Sequence, residues 1–335
     1  MLIERIRLQN FRCHSDSNFE LEQATFIEGE NGSGKTSILE AVYLLLHLKS
    51  FKEPSPKNLT KFNEDYLRIK ADYSSSESSG DLLYFFDNAR TLKKDGSCVM
   101  DIPDYLTQNP VFCYSPDTST ILAKEQKVRR SYIDRVCFYR DRVHIFDLRY
   151  YNRLIAQKTI ELQKPKADIN YLESINEQIF TVNEKITERR KSAVIMINKR
   201  LDETYVNFGK DDERFSLDYI NNKNDINITE REIKTRKCLY GNHRDKFYSK
   251  NMETIYDKFS SYGQKKTFEL LVLYAVLLDV EVLLKTGIIT LLDDFEAGLD
   301  ERRAMSFLSM FAGNRQILVT GVKNRIFGNM PTVKL

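Results

Sequence analysis

The sequence has no CxxC pair. Its five cysteines, at 13, 98, 113, 137 and 238, are scattered and odd in number, and it has only four histidines. This excludes a disulfide framework and a cysteine–histidine zinc site, and a reducing cytoplasm is the expected setting. Long apolar runs are also missing. The richest stretch, Leu270–Leu278, is interrupted by Tyr274 and closed by Asp279, too short to span a bilayer, so no membrane partner is expected. The opening residues MLIERIRLQNFR alternate charge and apolarity, which is not the pattern of a secretory signal. There is no internal repeat and no sustained heptad. Nor is there a bias of charge: 51 Lys and Arg stand against 48 Asp and Glu, a net of +3, so only the local distribution can point to a polyanion.

What is present is a chain of 335 residues, 41% hydrophobic and 30% charged, with the composition of a soluble protein that buries a core. Period-two alternation predicts a strand over Leu2–Leu8. Further short strands are expected at Phe19–Leu21, Thr25–Ile27, Leu67–Tyr73, Asp81–Phe86 and Val111–Tyr114, with a hairpin around Asp95-Gly96 and a loop over 53–60. From about 120 to 205 the pattern turns helical and highly charged. Residues 207–230 read as turns around short strands. These shifts predict an α/β domain split in sequence, 1–115 plus 240–335, with a mostly helical insertion over 116–239.

The segment Gly29-Glu30-Asn31-Gly32-Ser33-Gly34-Lys35-Thr36 matches G-x-x-x-x-G-K-[ST]. A strand precedes it, and the apolar helix pattern Ser37–Leu46 follows at once. Glycines let the backbone wrap a phosphate with its N–H groups. A lysine at position 35 reaches the β- and γ-phosphates, a hydroxyl at Thr36 ligates Mg²⁺, and the helix N-terminus places partial positive charge under the anion. ATP and Mg²⁺ are therefore the expected cofactors, with Gly29 through Ser37 as the binding loop.

A P-loop needs an acidic partner strand. Gly287–Asp294 ends an apolar run in two carboxylates, as a buried parallel strand does where its end opens at a phosphate site. Asp293 is the candidate for the Mg²⁺ shell, and Asp294 for orienting or deprotonating the attacking water. About 30 residues earlier, Ser261-Tyr262-Gly263-Gln264-Lys265 leads into a helix expected over Thr267–Val280. A second anion-binding helix start is superfluous within one subunit, but it makes sense if it serves the ATP of another. P-loop, S-x-G-Q and acidic strand, in that order, are the parts of an ABC-type ATPase that sandwiches two ATP molecules between two subunits.

Further segments narrow this. Ile6–Arg12 resembles the opening strand of RecF, SMC and Rad50 proteins, and Glu28–Glu40 is similar to the RecF version of the P-loop. Tyr114-Ser115-Pro116-Asp117 with Val128–Asp134, the helix pattern Tyr151–Gln163, Gly241-Asn242-His243-Arg244-Asp245, and Leu291–Asp294 with Leu299-Asp300 resemble RecF segments in the same order. About 225 residues separate Lys35 from Ser261, where SMC and Rad50 proteins carry very long coiled coils. The chain is therefore identified as a member of the RecF family.

The resemblance implies an ABC-type, SMC/Rad50-like ATPase head with an inserted helical domain. It implies catalytic roles for Lys35 and Asp294, a nucleotide contact from Arg12, a trans signature of Ser261, Gly263, Gln264 and Lys265, and a D-loop at Asp300. It also implies an ATP-dependent homodimer that binds double-stranded DNA and single/double-strand junctions. As a weak DNA-dependent ATPase, that dimer would work with RecO- and RecR-like mediators to place RecA in recombinational repair. The chain departs from the family at Ser33, at Ala297 and Gly298 of the D-loop, and in carrying Tyr262 within the signature. The D-loop changes bear on hydrolysis more than on binding.

The local charge supports a DNA role. Residues 120–165 hold eleven Lys and Arg against five acids, with tyrosines interleaved. Arg129, Arg130, Arg135, Arg140, Arg149 and Arg153 are the contact candidates, with service to the fold or the dimer as the alternative for Arg129 and Arg130. His243-Arg244-Asp245 has the letters of a kinase catalytic loop, but Lys250 stands where a kinase needs asparagine. The competing reading is an ABC-like ATPase that regulates a partner nuclease or toxin without touching DNA.

Overall fold

The computed structural model describes residues 1–76, 78–116, 121–208, 214–222, 228–251, 254–255, 262–313, 315–323, 328 and 330–335. By its internal contacts the chain forms two compact units, Met1–Thr118 with Leu284–Leu335, and Ser119–Leu283. Residues 240–283, grouped by sequence with the ATPase parts, pack in the second unit.

In the first unit, alternation builds an antiparallel sheet. Its strands are β1 (Leu2–Phe11), β2 (His14–Glu20), β4 (Leu67–Ser74), β5 (Ser79–Phe86), β6 (Arg90–Lys94) and β7 (Ser97–Cys98), in the order β2-β1-β4-β5-β6-β7. A second sheet contains β3 (Ala24–Glu28), β8 (Val111–Tyr114), β12 (Ile289–Leu292), β13 (Gln316–Gly321) and β14 (Thr332–Lys334). It runs β14-β3-β13-β12-β8, and every pairing is parallel. β12 and β13 are buried at every residue, so they lie covered on both faces, and their sequences carry no alternation of apolar and charged residues.

The helix α1 (Lys35–His47) is buried from Ile38 through Leu46. It touches β1 and β5 of one sheet and β8 and β13 of the other. A helix apolar on all sides fits such a position and no solvent-facing one. Gln316 ties the two sheets together. Its side chain accepts from Ile3 N at 2.9 Å and donates to the carbonyls of Ile3 and Glu22 at 2.8 and 3.0 Å. Ile3 sits at a register shift in β1, where backbone groups would otherwise be left unpaired. The helix α2 (Ile102–Gln108), capped by Asp101 with Pro103 in its first turn, was not evident in the sequence.

The second unit is mainly helical. It holds α3 (Gln126–Arg140), α4 (Val143–Gln163), α5 (Ile169–Phe208), α6 (Ile228–Thr235) and α7 (Tyr262–Leu284), with a small sheet of β9 (Phe215–Ile220), β10 (Lys246–Asn251) and β11 (Thr254–Ile255). α6 begins inside the stretch expected to be turns. α5 packs Ile175, Ile179, Val182 and Ile186 against Tyr151 and Leu154 of α4 and against Tyr240. This spacing of three and four continues to Ala193, Ile197 and Leu201, all buried.

Arg190 lies within that seam, fully buried, and a charged knot replaces apolar packing there. Arg190 grips both oxygens of Asp134 at 2.8 Å, Asp245 Oδ2 at 2.8 Å and the Asn242 carbonyl at 2.9 Å. Asp245 also accepts from Tyr219, from Asn242 Nδ2 at 3.0 Å and from the Asn222 amide at 2.9 Å. His243 and Tyr151 share a 2.7 Å bond. Gly241 adopts φ 124°, and a Cβ there would strike the Tyr151 hydroxyl, which is why glycine opens this motif. Gly241–Asp245 is thus a packing motif of this unit, with no kinase-like chemistry.

Two outcomes follow for stability. Asp245→Ala leaves Arg190 with a buried, half-compensated charge and is expected to cost roughly 3–5 kcal/mol in denaturant unfolding. Burial pushes the Asp134 carboxyl up, but Arg190 and His144 outweigh it and hold it down to about 2. A depressed carboxyl contributes stability above its unfolded value and loses it as pH falls. Unfolding free energy should therefore drop by about 2 kcal/mol between roughly pH 4 and pH 2 on this account. Asp134→Asn should remove that slope while lowering stability at neutral pH.

Candidate functional site

The site of the first unit is assembled at one end of the parallel sheet. β3 runs into the loop 29–34, and α1 starts immediately after it. Gly32 and Gly34 adopt φ 87° and 101°, left-handed backbone that side chains disfavour. At Gly34 there is no room either: a Cβ would lie 2.7 Å from Cys13 Sγ and 2.9 Å from His14 Nε2. Cys13 and His14 thus back the loop at its helix end. Burial lowers the His14 pKa, favouring the neutral ring beside the loop.

Lys35 is buried, and its ammonium donates to the Gly29 and Glu30 carbonyls at 2.6 and 2.8 Å, using two of its three N–H donors to hold the start of the loop. Ser37 and Ile38 already donate to the Gly34 carbonyl. The amides of Lys35 and Thr36 are then the first-turn donors without intrahelical acceptors. The Ser33 hydroxyl is buried without a hydrogen-bond partner. Free amides, an orphaned hydroxyl and a loop that excludes Cβ atoms make a cradle for an oxyanion.

Asp293, at the end of β12, is 1% exposed. Its Oδ1 accepts from Thr36 Oγ1 at 2.9 Å and Thr320 Oγ1 at 2.8 Å, and its Oδ2 accepts from Ser115 Oγ at 2.9 Å. Lys52 Nζ stands 3.8 Å from Oδ2. Parallel register explains the convergence. Leu292 pairs with Val319 on one side and Tyr114 on the other, so the residues that follow all emerge at one sheet end. The donor set of hydroxyls and carboxylate is all oxygen, which suits a hard divalent cation such as Mg²⁺. Asp294 is exposed at φ 43°, with its amide donating to Thr320 Oγ1 at 3.0 Å.

The other sequence candidates are placed as follows. Arg12 forms a bidentate pair with Glu40 of α1 at 2.8 Å on both arms, and its guanidinium is committed there. Asp300 caps α8 (Glu301–Ala312), accepting from the Arg303 amide at 2.8 Å. Gly263, Gln264 and Lys265 open α7 in the second unit, while Ser261 and Asp117 lie outside the described residues.

The six arginines divide. Arg129 is buried and donates to the carbonyls of Ala123 and Phe247, Arg130 donates to the Asp245 carbonyl, and Arg140 pairs with Asp279. Arg135 lies over the Tyr132 ring. Arg149 and Arg153 are exposed, lie over Phe146 and Tyr150, and have no acidic partner among the described residues. Sequence reading missed Lys52, because nothing in the local pattern 49–53 marks it. Ser115 falls within a motif of the sequence and Thr320 within none, and neither is marked locally as a partner of Asp293.

A protein-family model for an AAA ATPase domain matches residues 1–289. The chain belongs to this ATPase family. Within it the RecF resemblance holds over the whole length. The DNA replication and repair protein RecF of Staphylococcus epidermidis is 25% identical over 360 residues, covering 98% of this chain and 96% of its own. Among solved structures, that of the recombination mediator protein RecF-ATPrS in the RecFOR pathway has a TM-score of 0.87 at 21% identity, over 100% of this chain and 96% of the other. The Smc head domain with a coiled coil and joint from Pyrococcus yayanosii has a TM-score of 0.53 at 12% identity, over 99% and 94%. The expected fold, an ABC-type ATPase head of the RecF and SMC kind, is borne out. No helix among the described residues is long and apolar enough to cross a membrane.

Gly34→Ala tests the cradle. Left-handed strain of about 1–3 kcal/mol adds to the clash with Cys13 and His14. Binding of a fluorescent ATP analogue should weaken at least tenfold, while the thermal midpoint moves by only a few degrees.

Proposed function

We propose that this chain is an ATP-controlled DNA clamp of recombinational repair. The observation that carries this reading is the closure of the Asp293 carboxylate by Thr36, Ser115 and Thr320 beside a glycine cradle, in a chain similar to RecF along its whole length. Gly29–Ser37 hold the triphosphate, Lys35 reaches the β- and γ-phosphates, and Thr36 and Asp293 hold Mg²⁺. Once bound, the metal neutralises phosphate charge. Asp294, exposed beside Asp293, orients the attacking water and accepts its proton. The departures at Ala297 and Gly298 fit a slow ATPase.

ATP joins two heads, with the residues that open α7 in one subunit facing the nucleotide of the other, and Asp300 shaping the turn by capping α8. The dimer holds double-stranded DNA or a junction, and hydrolysis releases it. RecO- and RecR-like mediators, and RecA through them, are the expected partners. The likeness to RecF relatives favours this over regulation of a nuclease or toxin. DNA contact is assigned to Arg149 and Arg153, exposed on α4 without acidic partners, and not to Arg129, Arg130 or Arg140, whose guanidinium groups are bonded internally.

Lys35→Arg is expected to abolish ATP-dependent DNA binding, and Asp294→Asn to prolong it, both read by DNA dissociation kinetics with ATP and Mg²⁺. Light scattering that finds only monomers under conditions where ATP is bound would remove the clamp. Replacing Arg149 and Arg153 by alanine should weaken DNA binding and reduce the salt slope by about one per residue, leaving thermal stability unchanged. Arg129→Ala should instead lower stability.

A further inference from the structure

Asp293 is a buried carboxylate whose three hydroxyl partners are all neutral. Taking such a charge out of water is costly unless a cation accompanies it. Among the described residues, Lys52 is its sole ion-pair partner, with 29% of the lysine side chain exposed and 3.8 Å between Nζ and Oδ2. That separation is too long for a hydrogen bond, so the contact between Lys52 and Asp293 is one of charge.

Its placement is nonetheless built. The Ser50 hydroxyl accepts the amides of Lys52 and Glu53 at 2.9 and 2.8 Å, fixing the turn that carries the lysine. Ser50 in turn donates to Glu40 of α1, and Glu40 is locked by the two arms of Arg12. A relay Arg12–Glu40–Ser50 therefore aims Lys52 at Asp293, and it gives Arg12 a positioning task.

We propose that Lys52 is the resident counter-ion of Asp293 and competes with a divalent cation for that carboxylate, setting the metal concentration at which the site loads. The inference rests on the reading of Asp293 as the metal-binding carboxylate. It makes Lys52 a positioning residue that acts through Asp293. Competition has a definite sign. Removing the ammonium leaves the carboxylate uncompensated, so a divalent ion should bind more tightly, whereas loss of a merely structural contact would weaken binding.

The experiment titrates the whole protein with Mn²⁺ alone, following the free-ion paramagnetic resonance signal. Lys52→Gln should bind Mn²⁺ roughly tenfold more tightly than the wild type, the scale of a half-screened charge pair. Lys52→Arg keeps the charge and should bind like the wild type. Circular dichroism and thermal unfolding establish that each variant is folded. Equal, weaker or undetectable Mn²⁺ binding by Lys52→Gln overturns the proposal, as does tightening by Lys52→Arg to the same degree. Asp293→Asn separates the two readings. If it abolishes Mn²⁺ binding while Lys52→Gln changes nothing, only the counter-ion role falls. If it leaves binding intact, the assignment of Asp293 to the metal falls with it.

Discussion

The first unit is organised around the need to give one carboxylate partners where water does not reach. Asp293 ends a strand buried on both faces, and its two oxygens take three hydroxyl bonds and a lysine from separate parts of the chain. Each partner is delivered by a different element: Thr36 by α1, Ser115 by the residue after β8, Thr320 by β13 and Lys52 by the turn beyond α1. The sheet order β3-β13-β12-β8 makes this possible, because parallel strands in register release their following residues at one end. An antiparallel neighbour would have sent one of them to the far side. The same order puts the loop after β3 next to β13, so the cradle and the carboxylate share one edge.

The second unit answers a similar problem differently. Arg190 interrupts an apolar seam, and two carboxylates and the Asn242 carbonyl compensate it, while neutral donors satisfy Asp245. An ion cluster of this kind adds little net stability over apolar packing, but it tolerates few alternative arrangements. It ties α3, α5, β9 and the Gly241–Asp245 turn into one geometry. Arg129 is buried and Arg130 half-buried, and their guanidinium groups close backbone carbonyls around β10 and its preceding turn. A basic segment of sequence is therefore not a basic surface. Arg149 and Arg153, lying over Phe146 and Tyr150 of α4, do face solvent.

The strands β1, β4, β5 and β8, the helix α1, the cradle and the acidic strand were legible because their signals are local. Alternation, a glycine spacing and an apolar run ending in carboxylates each reflect what one segment must do by itself. The helix α2 was hidden because seven residues give little periodicity, and α6 because its flanks are polar and turn-like. Lys52 was invisible for another reason: its partner lies 241 positions away, and only the folded sheet brings them together. Arg12 carried a family signal, yet its bidentate bond with Glu40 could not be foreseen, because it depends on how β1 and α1 cross.

The sequence by itself determined that a phosphate-binding loop precedes a buried helix, that a carboxylate strand serves it, and that the ordered motifs are those of an ATPase head of the RecF kind. Segment-level physics suffices there, since backbone conformation and burial pattern are encoded within a few residues. Tertiary structure decided which hydroxyls and which lysine compensate Asp293, that Gly241–Asp245 is a packing knot, and which arginines remain exposed. Those outcomes are set by desolvation, which depends on what surrounds a charge in three dimensions and not on its neighbours along the chain.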